Sequence, residues 1–161
     1  MAIEIERKFL IAHDGWRERA SGSERLLDGL LSSGGTNKVR VRRSERTAWL
    51  TVKGPKSGIA RDEFEYEIPV ADADAMLARR CHGPIIERVR FAVPEGTHLW
   101  TVDVFLGPLD GLVIAEIELR DEAAVVLPPN WVGPEITHDR RYGSAALLLA
   151  AAEDGPFPWR G

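Results

Sequence analysis

The sequence predicts an α+β protein built on an eight-stranded antiparallel β-barrel, a tunnel with a charged interior and helices packed outside. Three observations carry that prediction. Charged and apolar residues alternate in segment after segment, with the charged positions dominated by Arg, Glu and Asp. Short breaks ("SSGGT", "SERT", "GPKSG", "PEGT" and "GPLDG") separate most of these segments and suit antiparallel hairpins. Two stretches with helix signals complete the pattern.

The strands follow in chain order. Ile3–Ala12 sets Glu4, Glu6 and Lys8 against Ile3, Ile5 and Phe9. Arg25–Ser32 is mostly apolar. Asn37–Ser44 carries Arg40 and Arg42 on one face, Val39 and Val41 on the other. Ala48–Gly54 places Lys53 in phase with Thr51, and Arg61–Val70 places Arg61, Glu63, Glu65 and Glu67 opposite Phe64, Tyr66 and Ile68. Pro84–Val93 pairs Arg88 with Arg90, His98–Phe105 isolates Asp103 between two valines, and Leu112–Leu119 sets Glu116 and Glu118 against Ala115, Ile117 and Leu119. A slip of one residue would invert each strand, so the phase is well specified. Asp72–Arg80 reads as a helix capped by its Asp, and Ser144–Glu153 ("SAALLLAAAE") as an Ala/Leu-rich helix capped by its Ser. The pattern allows a short helix near Asp121–Val126. "LPPNWVGPEI" reads as loop, and "DGPFPWRG" as a loose tail.

The bulk numbers limit what such a barrel can be. A chain of 161 residues suits one domain, 1–161, with room for a real core. A net charge of −4 argues against a global field for nucleic acid, so an anionic ligand needs a local basic site. No stretch approaches the ~20 apolar residues of a membrane span, and charge within four residues of the start argues against a secretory signal. The single Cys81 cannot form an intramolecular disulfide and fits a reducing, cytoplasmic setting. The four histidines are scattered without zinc spacing.

A sealed interior would not tolerate so many charges, because each buried ion costs several kcal/mol. The ionic side chains are therefore expected to face a wet bore, with the apolar ones outward beneath the helices. Arg and Lys gathered from several strands match the oxygens of phosphate. Paired carboxylates among those bases would repel a bare polyanion, but they suit Mg²⁺ or Mn²⁺ bridging acid to phosphate. The expected ligand is a small molecule carrying a phosphate chain, together with a divalent metal.

Glu4-x-Glu6-x-Lys8 resembles the ExExK signature of the CYTH superfamily, the triphosphate tunnel metalloenzymes. "VRVRR", "LTVKG", "RDEFEYEI", "ERVRF", "VDVF", "AEIEL" and "DRRY" each resemble a family block, in order and over nearly the whole chain. The resemblance implies an eight-stranded tunnel that binds a triphosphate with Mg²⁺ or Mn²⁺. By position it implies that Lys8, Arg40, Arg42, Lys53, Arg88 and Arg90 hold phosphate, and that Glu4, Glu6, Asp103, Glu116 and Glu118 hold metal. Lys8, Glu63 and Glu65 are the expected catalytic residues, the two acids holding a second metal or orienting the attacking water. Arg61 is expected to pair with these acids, and Glu67 to lie at the rim. Arg141 and Tyr142 match the family's Arg-Tyr near the last helix. Leu30 stands where bacterial relatives often carry Tyr, and Ser144 where they often carry Asn.

The activity expected from the resemblance is metal-dependent hydrolysis of inorganic triphosphate to pyrophosphate and phosphate, by a monomer or homodimer without nucleic acid or membrane partners. The same tunnel would also suit a class IV-type adenylate cyclase, a thiamine triphosphatase, or a module that binds triphosphate or polyphosphate without turnover. The five Trp residues offer cation–π contacts to a thiamine group, and core packing explains them equally.

Overall fold

The computed structural model describes residues 2–32 and 34–152. Its strands are β1 (Ile3–Ile11), β2 (Gly22–Ser32), β3 (Lys38–Arg43), β4 (Ala48–Lys53), β5 (Ala60–Ile68), β6 (His82–Glu95), β7 (His98–Phe105), β8 (Val113–Glu118) and β9 (Val132–Glu135). The helices are α1 (Val70–Arg79) and α2 (Ser144–Ala152), and short 3-10 segments cover Asp14–Arg19, Gly107–Leu109 and Arg140–Tyr142.

Neighbouring strands run β5-β4-β3-β2-β6-β7-β8-β1, all antiparallel, and β1 returns to β5 through Ile3↔Asp62 and Glu4↔Arg61. The sheet therefore closes into an eight-stranded barrel. Directly opposed residues share a face. The registers Glu6↔Glu118, Lys8↔Glu116, Asp28↔Arg42, Lys53↔Glu63 and Arg90↔Asp103 thus collect the charges on one side of the sheet, the inside.

The outer face is covered in two ways. Helix α1 lies over β2–β4, where Val41, Ala48 and Ala73 are fully buried with Leu31, Ile68, Met76 and Leu77 around them. The helix and the turn after it come so close to β2 that a Cβ on Gly29 would meet Cys81 Sγ at 2.4 Å and Leu77 Cδ2 at 2.8 Å. The second outer core is aromatic: Phe9, Trp16, Trp100 and Trp131, with Trp100 stacked edge-on to Trp131 at 5.6 Å between ring centroids. Among the described residues no α-helix covers it; the 3-10 segment Asp14–Arg19 and the stretch 120–132 do. This corrects the expectation that all outward apolar residues lie under helices. So does the outer face of β5, where Phe64 is 40% and Tyr66 61% exposed. Trp16, Trp100 and Trp131 are thus core residues, whereas Trp159 lies outside the described residues.

Inside, the charged face ends in an apolar patch. Ile114 lies opposite Leu10 and Asp103, Ile86 opposite Asp28, and Phe105 opposite Arg88. These residues and Leu30 point inward at one end of the barrel, and α2 packs on them with Leu147 and Leu148, joined by Ile136 and Tyr142. The helix reading "SAALLLAAA" is apolar all round, but it buries only Leu147 and Leu148 against this patch and leaves Leu149 70% exposed. Helix α2 is the end piece of the barrel.

Other differences are local. The stretch read as loop, "LPPNWVGPEI", contains β9, which pairs with the far edge of β1 at Phe9↔Glu135 and Ile11↔Val132. Its Gly-Pro hides the strand signal, yet both residues have a reason. A Cβ on Gly133 would meet the Ile11 carbonyl carbon at 3.0 Å, and Pro134 needs no partner on an edge strand. The helix allowed near Asp121–Val126 is only a turn, closed by Ala123 N donating to Asp121 Oδ1. Helix α1 starts at Val70 behind Pro69, with Asp72 in its first turn and not at the cap. Strands β2 and β6 are longer than expected and start at Gly22 and His82. Among the described residues no helix is long and apolar enough to cross a membrane.

Candidate active site

All thirteen expected site residues lie on the inner barrel face. They form a belt of ion pairs rather than an empty tube. Starting at β1, Lys8 Nζ lies 2.9 Å from Glu116 Oε1 and 3.5 Å from Glu6 Oε1. Arg90 reaches Glu116 at 3.3 Å and holds Asp103 with two hydrogen bonds of 2.7 Å. Arg88 joins Asp103, at 3.4 Å, to Asp28. Arg42 donates to Asp28 at 2.7 and 3.3 Å, and Arg40 lies 3.8 Å from the same carboxylate. Lys53 then links Glu63, at 2.6 Å, to Glu4, at 2.9 Å, and Arg61 donates to Glu4 and Glu6 at 2.6 and 3.0 Å. The side-chain hydroxyl of Thr51 donates to Glu65 at 2.9 Å.

Mutual pairing explains how Glu6, Asp28, Lys53, Arg88 and Asp103 can all be buried. Pairing leaves open space in parts of the interior. A cavity of about 790 Å³ opens at the end of the barrel beside α2. Its wall carries Lys8, Lys38, Arg40, Lys53, Lys56, Arg61 and Arg140 against two acids, Glu6 from the bore and Asp139. One side of the wall is formed by residues 136–140, 142–146 and Leu149 of α2, and Leu30, Thr36 and the loop residues Gly54, Pro55 and Gly58 complete it.

That wall is short of negative charge. Burial, then the neighbouring Arg61, Lys8, Lys53 and Lys56, push the Lys38 ammonium below its ordinary pKa. Burial and Arg40 do the same to Lys53 despite its two acids. Burial and the adjacent Arg42 lower Arg40 to about 10. Lys8 differs: burial works against its charge, but Glu116 and Glu6 outweigh burial and hold its pKa up. Such a set of crowded cations favours a polyanion.

The acids separate into two groups. Glu118 is exposed at the barrel wall, yet its pKa is raised from the ordinary value by partial desolvation and then by Glu4, Glu63, Glu6 and Glu116, so these five acids share one negative region. Asp103, expected in the same metal set, is instead enclosed by Arg88 and Arg90. Among the described residues no three acids, imidazoles or thiols converge as a preformed metal cage. The oxygen-only acid group around Glu118 nevertheless fits a hard divalent cation, which would relieve the repulsion that raises Glu118.

The sequence matches a family model for the CYTH domain over residues 2–146. The chain belongs to the CYTH domain family. Its similarity to individual CYTH relatives extends over nearly its whole length. It is 43% identical over 148 residues to an inorganic triphosphatase of Acetivibrio thermocellus, covering 92% of this chain and 94% of that one. It is 34% identical over 154 residues to an inorganic triphosphatase of Nitrosomonas europaea, covering 91% and 97%. A crystal structure of an inorganic triphosphatase superposes with a TM-score of 0.64 at 32% identity, covering 92% of this chain and 96% of the other.

Within this CYTH barrel, sequence reasoning missed four participants. Lys38 is in phase with Arg40 and Arg42 in "NKVRVRR", so its signal is present. Lys56 belongs to a loop without periodicity, yet it reaches Glu6 at 3.3 Å. Thr137 accepts the Lys8 backbone N–H at 3.0 Å and fixes the segment that walls the cavity. Asp28 is the lone acid of an apolar strand, "RLLDGLLS", and its place among three arginines depends on pairings to β3 and β6. Arg61, expected to pair with Glu63 and Glu65, pairs instead with Glu4 and Glu6, because barrel closure sets it opposite Glu4, and it also lines the cavity.

Proposed function

We propose that this protein hydrolyses inorganic triphosphate to pyrophosphate and phosphate with Mg²⁺ or Mn²⁺, in the cytoplasm, as a monomer or homodimer. The observation that carries this reading is the 790 Å³ cavity with seven lysines and arginines on its wall against two acids, Glu6 and Asp139. The triphosphatase activity of the two relatives supports the same substrate.

Phosphoryl transfer asks a protein mainly for positioning and charge stabilisation. Lys8, Lys38, Arg40, Lys53, Lys56 and Arg61 would spread and fix the phosphate chain. Arg42, Arg88 and Arg90 are turned toward Asp28 and Asp103, and back that layer from behind. Water attacks a terminal phosphorus, the bridging P–O bond breaks with its electron pair leaving on pyrophosphate, and a carboxylate accepts the water's proton. Glu63 and Glu65 are the acids proposed to orient that water. Burial opposes the Glu63 charge, but Lys53 outweighs it and keeps Glu63 ionised, an acceptor for the water's hydrogens. Glu4, Glu6, Glu116 and Glu118 would hold the metal, with Asp103 joining only if Arg90 releases it. The bound metal would neutralise charge developing on phosphate oxygens.

Incubation with tripolyphosphate, ATP and thiamine triphosphate, with each metal in turn and all products quantified, tests the proposal. Pyrophosphate and phosphate in equal amounts from tripolyphosphate, at the highest kcat/KM of the three, is the expected result. A cyclic nucleotide from ATP, preference for thiamine triphosphate, or binding without turnover would each replace it.

A further inference from the structure

Among the described acids of the bore, Asp28 alone makes ion pairs with three arginines and with no lysine. Its carboxylate takes two hydrogen bonds from Arg42, an ion pair from Arg88, and lies 3.8 Å from Arg40. It is only 6% exposed. Three guanidiniums around one carboxylate leave an excess of positive charge, part of which Asp103 offsets through Arg88. The excess is visible in the donors: Nε of Arg40 and Nε of Arg88 are buried and make no hydrogen bond among the described residues. A second cavity of about 30 Å³ adjoins them, between Asp28, Arg40, Arg88 and Leu147 and Leu148 of α2. Arg40 borders both this small cavity and the large one.

We infer that Asp28 is a built-in anion occupying an arginine triad that would otherwise bind phosphate, so that the substrate chain stays in the outer cavity, in register with the acids that serve the reaction. The inference rests on the proposed triphosphatase reading for what the outer cavity binds. Chemically, a carboxylate and a phosphate offer guanidinium the same paired oxygens. Burial disfavours the Asp28 charge, yet Arg42, Arg88 and Arg40 outweigh burial and keep it ionised far below the ordinary range, so the occupant is permanent. A phosphate group moving inward past Arg40 would meet this fixed charge and be turned back. Without it, the chain could slide one step deeper and bind tightly but wrongly. Asp28 touches no reacting atom in this scheme; it is a positioning residue.

Asp28→Ala removes both the charge and the group that fills the triad. Non-productive binding lowers kcat and KM by the same factor and leaves kcat/KM unchanged, a pattern that loss of scaffolding does not give. The variant is expected to show kcat and KM for tripolyphosphate both reduced about tenfold, and pyrophosphate inhibition about tenfold tighter, the scale of one additional charge-assisted hydrogen bond. Titration calorimetry with pyrophosphate, without metal, reads the same tightening without any turnover. If the wild-type protein fails to cleave tripolyphosphate, the functional reading falls, while the calorimetric comparison still decides the role of Asp28. Thermal melts with and without millimolar inorganic phosphate cover the case of poor folding. A variant that folds or stabilises only in phosphate supports the inference. A variant that phosphate does not rescue, or one with KM raised, kcat/KM down and no tighter pyrophosphate binding, overturns it and leaves Asp28 a support for Arg42 and Arg88.

Discussion

Replacing Lys53 by Met separates the chemistry of the bore from its stability. Lys53 is 8% exposed, bridges Glu4 and Glu63, and lines the cavity. Breaking a buried ion pair by removing one partner usually costs ~3–5 kcal/mol, because the other charge is stranded. Two features of this site make the cost smaller. Glu4 keeps its 2.6 Å hydrogen bond from Arg61, whose guanidinium also holds Glu6. More importantly, the Lys53 pKa is lowered, by burial first and by Arg40 and Arg61, so its surroundings as a whole disfavour its charge. Met retains most of the buried stem. The melting temperature of Lys53→Met is therefore expected to move by less than ~4 °C, about 1 kcal/mol for a chain of this size. Activity should behave oppositely, since removing one preorganised charge from such a site costs on the order of 10²–10³ in kcat. Differential scanning fluorimetry beside a phosphate-release assay reads both quantities. Loss of stability on the full buried-pair scale, or turnover within a few-fold of the parent, would refute the reasoning.

Three further outcomes follow from the geometry. Lys38 and Lys53 have lowered pKa values in the free protein, and bound phosphates would raise them, so binding takes up protons in the alkaline range where the free lysines begin to lose theirs. Triphosphate affinity should then fall as pH rises, beginning below the ordinary lysine range of ~10.4, and calorimetry in buffers of different ionisation enthalpy counts the protons taken up. Glu118 is raised by partial desolvation and its acid neighbours, so its charge opposes folding at neutral pH; Glu118→Gln should raise the melting temperature slightly while weakening activation by Mg²⁺ or Mn²⁺ in a metal titration. Leu147→Ala on α2 leaves a hole against the inward apolar patch and should cost ~2–5 kcal/mol in a denaturant melt.

How far the sequence discloses this architecture depends on whether a feature is local. The phase of each strand is local, and alternation in "IEIERKFL", "NKVRVRR" and "RDEFEYEI" sorts the charged residues from the apolar ones on each strand. Register and closure are not local. Nothing in β1 or β5 alone says that Glu4 meets Arg61, yet that contact closes the barrel and gives Glu4 its base. Asp28 is hidden for the same reason, because its three arginines arrive from two other strands. Helix α2 is legible as a helix, but only the inward turn of Leu30, Ile86, Phe105 and Ile114 shows which of its faces is buried, the one with Leu147 and Leu148. Strand β9 is obscured by Gly133 and Pro134, residues that usually end strands and here suit close approach at an edge. The belt of ion pairs is visible in composition and not in arrangement: the acids expected as one metal set include Asp103, which two arginines enclose.

The most direct measurement is a crystal structure with tripolyphosphate and Mg²⁺. Phosphate oxygens within hydrogen-bonding distance of Lys8, Lys38, Arg40, Lys53 and Arg61, with the metal against the acids around Glu118, are expected. Tripolyphosphate seated on the outer surface, with every ion pair of the bore unchanged, would contradict the charged cavity as the place where phosphate is bound and cleaved.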